Sequence, residues 1–443
     1  MDKQSEARQG HTSSRSGSVA EHHLPRYRRT SFSSVQSVEL LEQTYSLPDS
    51  KGRPYVWMNV KSRAKDKKVW PLFCERDTIT GTVEVDFDKT DGAKGVSIAL
   101  SGAVTAVGQE ELVFLTSTQE LWDSKTSGKA PSGRQSWPFS IPIPTTADVA
   151  DKPKAKAETY SLPPTFSERA SPAYIDYKLT VTVKRSAFRV NQILTTSIYY
   201  TPLSRAQSPS PLRLAAYSEG GVLIGPEGDP EGWKVLAPVR ISGTLFKTRI
   251  VNVDCTIAIA QPLSFATGSP IPIFATFSAD DEQALDVISS PTAVKVCLVR
   301  ERLIGSVATR PGGQSSANTI REVMGVASFW PSQDGAQGAP NTRTLQGELD
   351  VRKALRPTFT FPTFTLRYDV CMYPSQASGF VSANPETVLF AERVSLHALN
   401  ALGVIPKSYA PPGYVAPAEH TWNTAAGFLE NGNQRFLHYG GFQ

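Results

Sequence analysis

Between His23 and His397 the chain contains no histidine at all. The six it has, His11, His22, His23, His397, His420 and His438, lie towards the two ends. Ser–His–Asp and Cys–His nucleophile arrangements, and most histidine-ligated metal sites, are thereby excluded from nearly the whole folded body. Cysteine is scarce too. Cys74, Cys255, Cys297 and Cys371 are widely scattered without a C-x-x-C spacing, which speaks against a zinc knuckle. Three of the four sit in apolar alternating runs, where a free thiol behaves as a small buried hydrophobe. No apolar run reaches the ~18–20 residues that span a bilayer. Met1–Arg15 is polar and lacks the apolar stretch of a signal peptide, so the expected setting is the reducing cytoplasm. The excess of positive charge is small, +5 on 443 residues, and part of it sits at Arg26, Arg28 and Arg29. No Arg/aromatic patch accompanies it, and a nucleic-acid partner is not expected.

Phosphate loops are missing as well. Gly220-Gly221 and Gly312-Gly313 have neither the G-K-[ST] ending nor a strand–helix setting. Asp280-Asp281-Glu282 lacks the glycine turn of a calcium loop and reads as a solvated hairpin loop. No cofactor or metal is expected.

What is abundant is Ser, Thr, Val and Pro in short alternating runs. In Ile175-Asp176-Tyr177-Lys178-Leu179-Thr180-Val181-Thr182-Val183-Lys184 every odd position is apolar and every even one polar. Period two places alternate side chains on opposite faces, predicting an antiparallel strand with one wet face. Similar runs occur at Val83–Phe87 and at Val96–Leu100, the latter closed by Ser101-Gly102. They return at Cys255–Ile259, Val294–Leu298 and Phe364–Val370. Many short strands between Gly/Pro turns predict sandwiches or barrels. The length suits two domains plus tails. Residues 1–35 are polar and expected to be disordered. A first β-sandwich is expected over 36–203, a Pro/Gly-rich surface connection over 204–235, a second sandwich over 236–403 and a tail over 404–443. Trp122, Trp137 and Trp233 suit either packing or partner contact.

The two strand sets repeat one another. Ile79 and Ile271 are 192 residues apart, Pro164 and Pro357 193, and Tyr177 and Tyr368 191. Three ordered landmarks at one spacing predict a duplicated domain.

These landmarks resemble the arrestin fold, and in particular the α-arrestins (arrestin-related trafficking adaptors and arrestin-domain-containing proteins). The resemblance rests on Asp77-Thr78-Ile79-Thr80-Gly81-Thr82-Val83, on Val96 through Gly102, on Leu121-Trp122 and on Phe139–Pro144. It continues through Leu162–Phe166 with Ile175–Leu179, and more loosely through Gly268–Ile273 and Leu355–Val370. It covers roughly residues 36–400. Gly225-Pro226 through Trp233 is similar to the linker of fungal members. It implies an all-β chain of two tandem immunoglobulin-like sandwiches that works as a non-catalytic adaptor. No Asp/Arg set aligns with the charged cluster that holds visual and β-arrestins inactive, and no clathrin box is present.

Pro411-Pro412-Gly413-Tyr414 is a P-P-x-Y sequence, the ligand type of WW domains. Adjacent prolines pre-set polyproline II, and the tyrosine adds buried area in an aromatic groove. Pro411, Pro412 and Tyr414 are therefore the candidate WW-binding residues. The resemblance implies their partner, a ubiquitin ligase of the HECT class. It also implies recruitment to cytoplasmic segments of membrane transporters or receptors, at plasma membrane or endosomes, leading to ubiquitination and endocytosis. Candidate phosphoacceptors are Ser31, after Arg28-Arg29-Thr30, and Ser208 and Ser210. The rivals are an arrestin-fold scaffold for sorting or signalling without a ligase, and a β-sandwich hydrolase, which needs paired carboxylates in a cleft.

Overall fold

Alternating runs bury one face by packing sheet against sheet, and the chain does so twice. A computed structural model describes residues 40–128, 131–150, 156–168, 171–186, 189–306, 308–309, 319–332 and 341–411. The first half contains β1 (Leu41–Pro48), β2 (Pro54–Ser62), β3 (Leu72–Cys74), β4 (Thr78–Asp86), β5 (Ala93–Ala106) and β6 (Leu112–Asp123). It continues with β7 (Arg134–Pro142), β8 (Thr146–Val149), β9 (Glu158–Ser161), β10 (Ala173–Arg185) and β11 (Gln192–Thr201). The second half contains β12 (Trp233–Val235), β13 (Val239–Leu245), β14 (Arg249–Ala260), β15 (Ser264–Ala266), β16 (Ile271–Ser278) and β17 (Lys295–Gly305). Then come β18 (Thr319–Val326), β19 (Ser328–Pro331), β20 (Thr342–Leu349), β21 (Thr363–Tyr373), β22 (Phe380–Ser382) and β23 (Phe390–His397). Short helices lie at α1 (Ser124–Ser127), α2 (Pro211–Glu219) and α3 (Glu282–Ile288).

The sheet orders of the halves superimpose. The first half has β1-β2-β4-β7 facing β3-β11-β10-β5-β6; the second has β13-β14-β16-β20, extended by β22 and β19, facing β15-β23-β21-β17-β18. In each, one short strand pairs in parallel, β3 with β11 and β15 with β23. Leu72 and Ser264, which open those strands, are 192 residues apart.

The repeated residues make repeated bonds. The Tyr177 hydroxyl donates to the Pro163 carbonyl at 2.6 Å, and the Tyr368 hydroxyl donates to the Arg356 carbonyl at 2.8 Å. Thr165 Oγ1 accepts the Tyr200 N–H at 2.8 Å, as Thr358 Oγ1 accepts the Leu396 N–H at 2.9 Å. In each half a proline-bearing turn is thus tied from both sides to the five-stranded sheet. Burial pushes both phenols above their ordinary range, so they remain donors.

Strand β10 is as its pattern demands, with Ile175, Tyr177, Leu179, Val181 and Val183 buried and the intervening residues half-exposed. Two local expectations are corrected. Gly102 does not close a strand; β5 runs on to Ala106. A Cβ on Gly102 would lie 2.7 Å from the Phe114 ring and 3.1 Å from Tyr177, so the glycine makes room for two aromatics. Strands β17 and β21 have no wet face: their charged residues are buried, and Arg300, Glu301, Arg302 and Asp369 are ion-paired. Asp281 is likewise no hairpin tip. It caps α3, accepting the Ala284 N–H at 3.0 Å, and pairs with Arg249 at 3.2 Å.

The three tryptophans that suited either packing or partner contact are packed against rings. Trp122 and Trp137 both meet Phe87 edge-on, and Trp233 meets Phe274 while donating to the Ile224 carbonyl at 2.9 Å.

Tyr177→Phe and Tyr368→Phe are expected to lower the free energy of unfolding by about 1 kcal/mol each, the net value of one such bond. Urea denaturation measures both, and similar losses are expected because the same bond serves both halves.

Candidate functional site

Two places in the fold gather chemistry: the seam between the halves, and the strap that carries the chain towards Tyr414.

The seam is lined by aromatics. Tyr200, Tyr177 and Phe114 of the first half follow one another at centroid spacings of 5.1 and 5.5 Å, and Phe114 meets Phe361 of the second half at 4.8 Å. Phe361 also meets Tyr160 at 5.7 Å, and Phe166 meets Phe364 at 4.8 Å. Edge-on pairs of this kind add about 0.5–1.5 kcal/mol beyond their burial. The halves share one continuous apolar core through these rings.

Beside the rings, β17 turns two positions of its inner face from apolar to charged. Arg300 reaches Glu168 of the first half at 2.9 Å and Glu322 of β18 at 2.6 Å. Arg302, 2 % exposed, shares Glu322 at 2.5 Å, and its Nε has no partner among the described residues. Burial opposes both charges. For Arg300 the attraction of Glu322 and Glu168 outweighs it and the pKa is raised; for Arg302, bonded to Glu322 and repelled by Arg300, burial prevails and the pKa is lowered. On the opposite face Glu301 is held by Arg321 at 2.5 Å and by Arg393 at 3.0 Å, and Arg393 also pairs with Asp369. These carboxylates are committed to guanidinium groups, an arrangement that holds elements together.

The segment 204–235, expected as a surface connection, is folded against the second half. Ser210 caps α2, with Pro211 in its first turn and Gly220 in the left-handed conformation (φ 73°) at its end. The Ser210 hydroxyl donates to Asp229 at 2.5 Å. Arg213 is buried and donates to the carbonyls of Gly232 (3.1 Å) and Gln261. Ser210, a candidate phosphoacceptor, is therefore enclosed in a helix cap, where a phosphate would face Asp229. Ser208 is exposed. Ser31, Pro412 and Tyr414 lie outside the described residues.

Pro411 is exposed and ends a strap that runs back over this segment. Tyr409 stacks on Tyr217 of α2 at 6.2 Å, its N–H donates to Glu348 Oε1 at 2.5 Å, and Ser408 donates to Glu348 Oε2 at 2.6 Å. Burial raises the pKa of Glu348, against the lowering effect of these hydrogen bonds. The strap thus fixes the residues that immediately precede the P-P-x-Y sequence, of which Pro411 alone is among the described residues. Sequence reading saw the motif but not its mooring, because Glu348 and Tyr409 are 61 residues apart.

Three of the four thiols are buried. Burial pushes Cys297 up to about 12 and raises Cys255 and Cys371 further, so they remain protonated. Burial lowers the pKa of His397 on β23. Among the described residues no three His, Cys, Asp or Glu side chains are grouped to hold a metal ion, and no helix is long and apolar enough to cross a membrane. In comparisons with known proteins, no family model and no curated protein matches the chain.

Gly102→Ala is expected to destabilise the protein by about 2 kcal/mol or more, since the added methyl overlaps the Phe114 ring in a closed core. Thermal unfolding measures it. A second expectation concerns Glu348. Its pKa in the folded chain is above the ordinary carboxylate value of 4.5, so its contribution to stability is present below 4.5 and is lost as the pH rises through the raised value. Urea denaturation as a function of pH measures it, and Glu348→Gln is expected to make the loss of stability above pH 4.5 smaller.

Proposed function

We propose that the chain is an α-arrestin-like adaptor that recruits a HECT-class ubiquitin ligase through Pro411, Pro412 and Tyr414 to membrane cargo. The observation that carries the reading is the placement of Pro411: exposed, and immediately beyond a segment moored by Tyr409 and Ser408 to Glu348. A WW ligand needs an extended, reachable proline pair, and mooring one end gives that pair a defined point of departure. The duplicated sandwiches are in keeping with the resemblance of their landmark residues to α-arrestins. Recruitment is physical in this reading. The sandwiches grip cytoplasmic segments of a transporter or receptor, and the tail raises the ligase's effective concentration at cargo lysines. Ubiquitination then directs endocytosis from plasma membrane or endosomes. The three buried thiols and fully paired seam carboxylates favour a binding role over catalysis.

Recombinant WW domains are expected to retain the full chain at micromolar affinity, and Tyr414→Ala to weaken retention by about tenfold or more. Equal retention of both proteins would sink the ligase reading and leave a scaffold without a ligase.

A further inference from the structure

The loop between β2 and β3 presents six consecutive exposed residues, Lys65, Asp66, Lys67, Lys68, Val69 and Trp70. Two of them are large and apolar: Val69 is 52 % and Trp70 48 % exposed. An indole left half in water beside an exposed valine puts an apolar point among the charges of the tip. The lysines around it are uncommitted, for Lys65, Lys67 and Lys68 make no ion pair among the described residues. The one acid of the tip, Asp66, accepts the Lys68 N–H at 2.9 Å, and the neighbouring Arg63 is neutralised by Asp77 through two bonds of 2.7 Å.

The tip is also preformed. Gln43 of β1, 2 % exposed, donates to the Val69 carbonyl at 2.7 Å and to the Lys67 carbonyl at 3.3 Å, and its own oxygen accepts the Ser62 hydroxyl at 3.0 Å. Arg63 N–H donates to the Leu72 carbonyl at 3.0 Å and closes the loop at its base. Below it opens a cavity of about 520 Å³ bordered by Lys65, Val69, Trp70, Leu72, Thr165 and Tyr199.

We propose that this loop docks the protein directly onto an anionic lipid surface, with Trp70 and Val69 entering the interfacial layer and the three lysines meeting headgroup phosphates. Charge complementarity selects an anionic partner. The form of the loop selects a bilayer over an acidic peptide. The carbonyls of Lys67 and Val69 are bonded inward, so the tip offers no strand edge for a peptide to extend. Its cations are flexible point charges, and the one nearby guanidinium is occupied. Lysines flanking an exposed tryptophan are what a polar–apolar interface accepts. This contact is independent of the ligase reading and differs from recruitment through partners alone.

The test is co-sedimentation of the full chain with phosphatidylcholine vesicles with and without phosphatidylserine. Binding is expected only with phosphatidylserine and should fall as salt rises. The triple variant Lys65→Ala, Lys67→Ala, Lys68→Ala is expected to lower partitioning about a hundredfold, roughly fivefold per lysine. Trp70→Ala should lower it about tenfold at any salt and abolish a blue shift of tryptophan emission on binding. All four side chains are exposed, so unchanged thermal unfolding is the control for folding. Failure to bind phosphatidylserine vesicles overturns the proposal. So does binding undiminished in the triple variant, which would assign it to Arg26, Arg28 and Arg29, and so does capture of polyglutamate without vesicle binding.

Discussion

Arg300 is a charge placed where an apolar side chain belongs, and the union of the two halves depends on how it is neutralised. Strand β17 leaves its own sandwich core and enters the seam at this residue. An unpaired guanidinium there would cost several kcal/mol in desolvation. Glu168 from one half and Glu322 from the other supply the countercharge at 2.9 and 2.6 Å. Two apolar sandwiches could slide over one another on a greasy seam; a buried cation that must meet acids from both sides sets one register. The aromatic contacts of Phe361 and Phe364 then fill the remaining volume.

The second organising feature is the mooring of both chain segments that cross the outside of the second half. The connection after β11 is zipped to the end of the second sandwich, with the Ala206 N–H on the Leu399 carbonyl at 2.8 Å and the Leu399 N–H on the Ser204 carbonyl at 3.0 Å. Helix α2 follows, and on it lies Tyr409. Connection and strap therefore form one layer, and Pro411 emerges from it. A Pro/Gly-rich stretch is commonly a tether; here Arg213 and Trp233 turn it into packed structure.

Much of this was readable residue by residue. Ile175–Val183 could only be a half-buried strand, and the paired landmarks Tyr177 and Tyr368 marked a duplication by their spacing, which the same hydroxyl-to-carbonyl bond in both halves bears out. The errors are as instructive. Gly102 looked like a strand end because glycine usually breaks strands, but here it clears space for the rings of Phe114 and Tyr177, 12 and 75 residues further on. Ser210, Pro211 and Gly220 are a helix cap, a first-turn proline and a left-handed stop. They were read as a turn-rich linker because Pro, Ser and Gly serve both purposes. Lys65–Trp70 carried its signal openly, yet exposure separates Trp70 from the packed Trp122 and Trp233, and exposure is not local.

By itself the sequence determined the all-β class and the repeat, since these follow from side-chain period and from spacing. Tertiary structure alone decided which charges meet. Glu168 and Arg300 are 132 residues apart, and Glu348 and Tyr409 are 61 apart. An ion pair or a hydrogen bond is specified by distance in space, and only the packing of one sheet on another brings such partners within 3 Å.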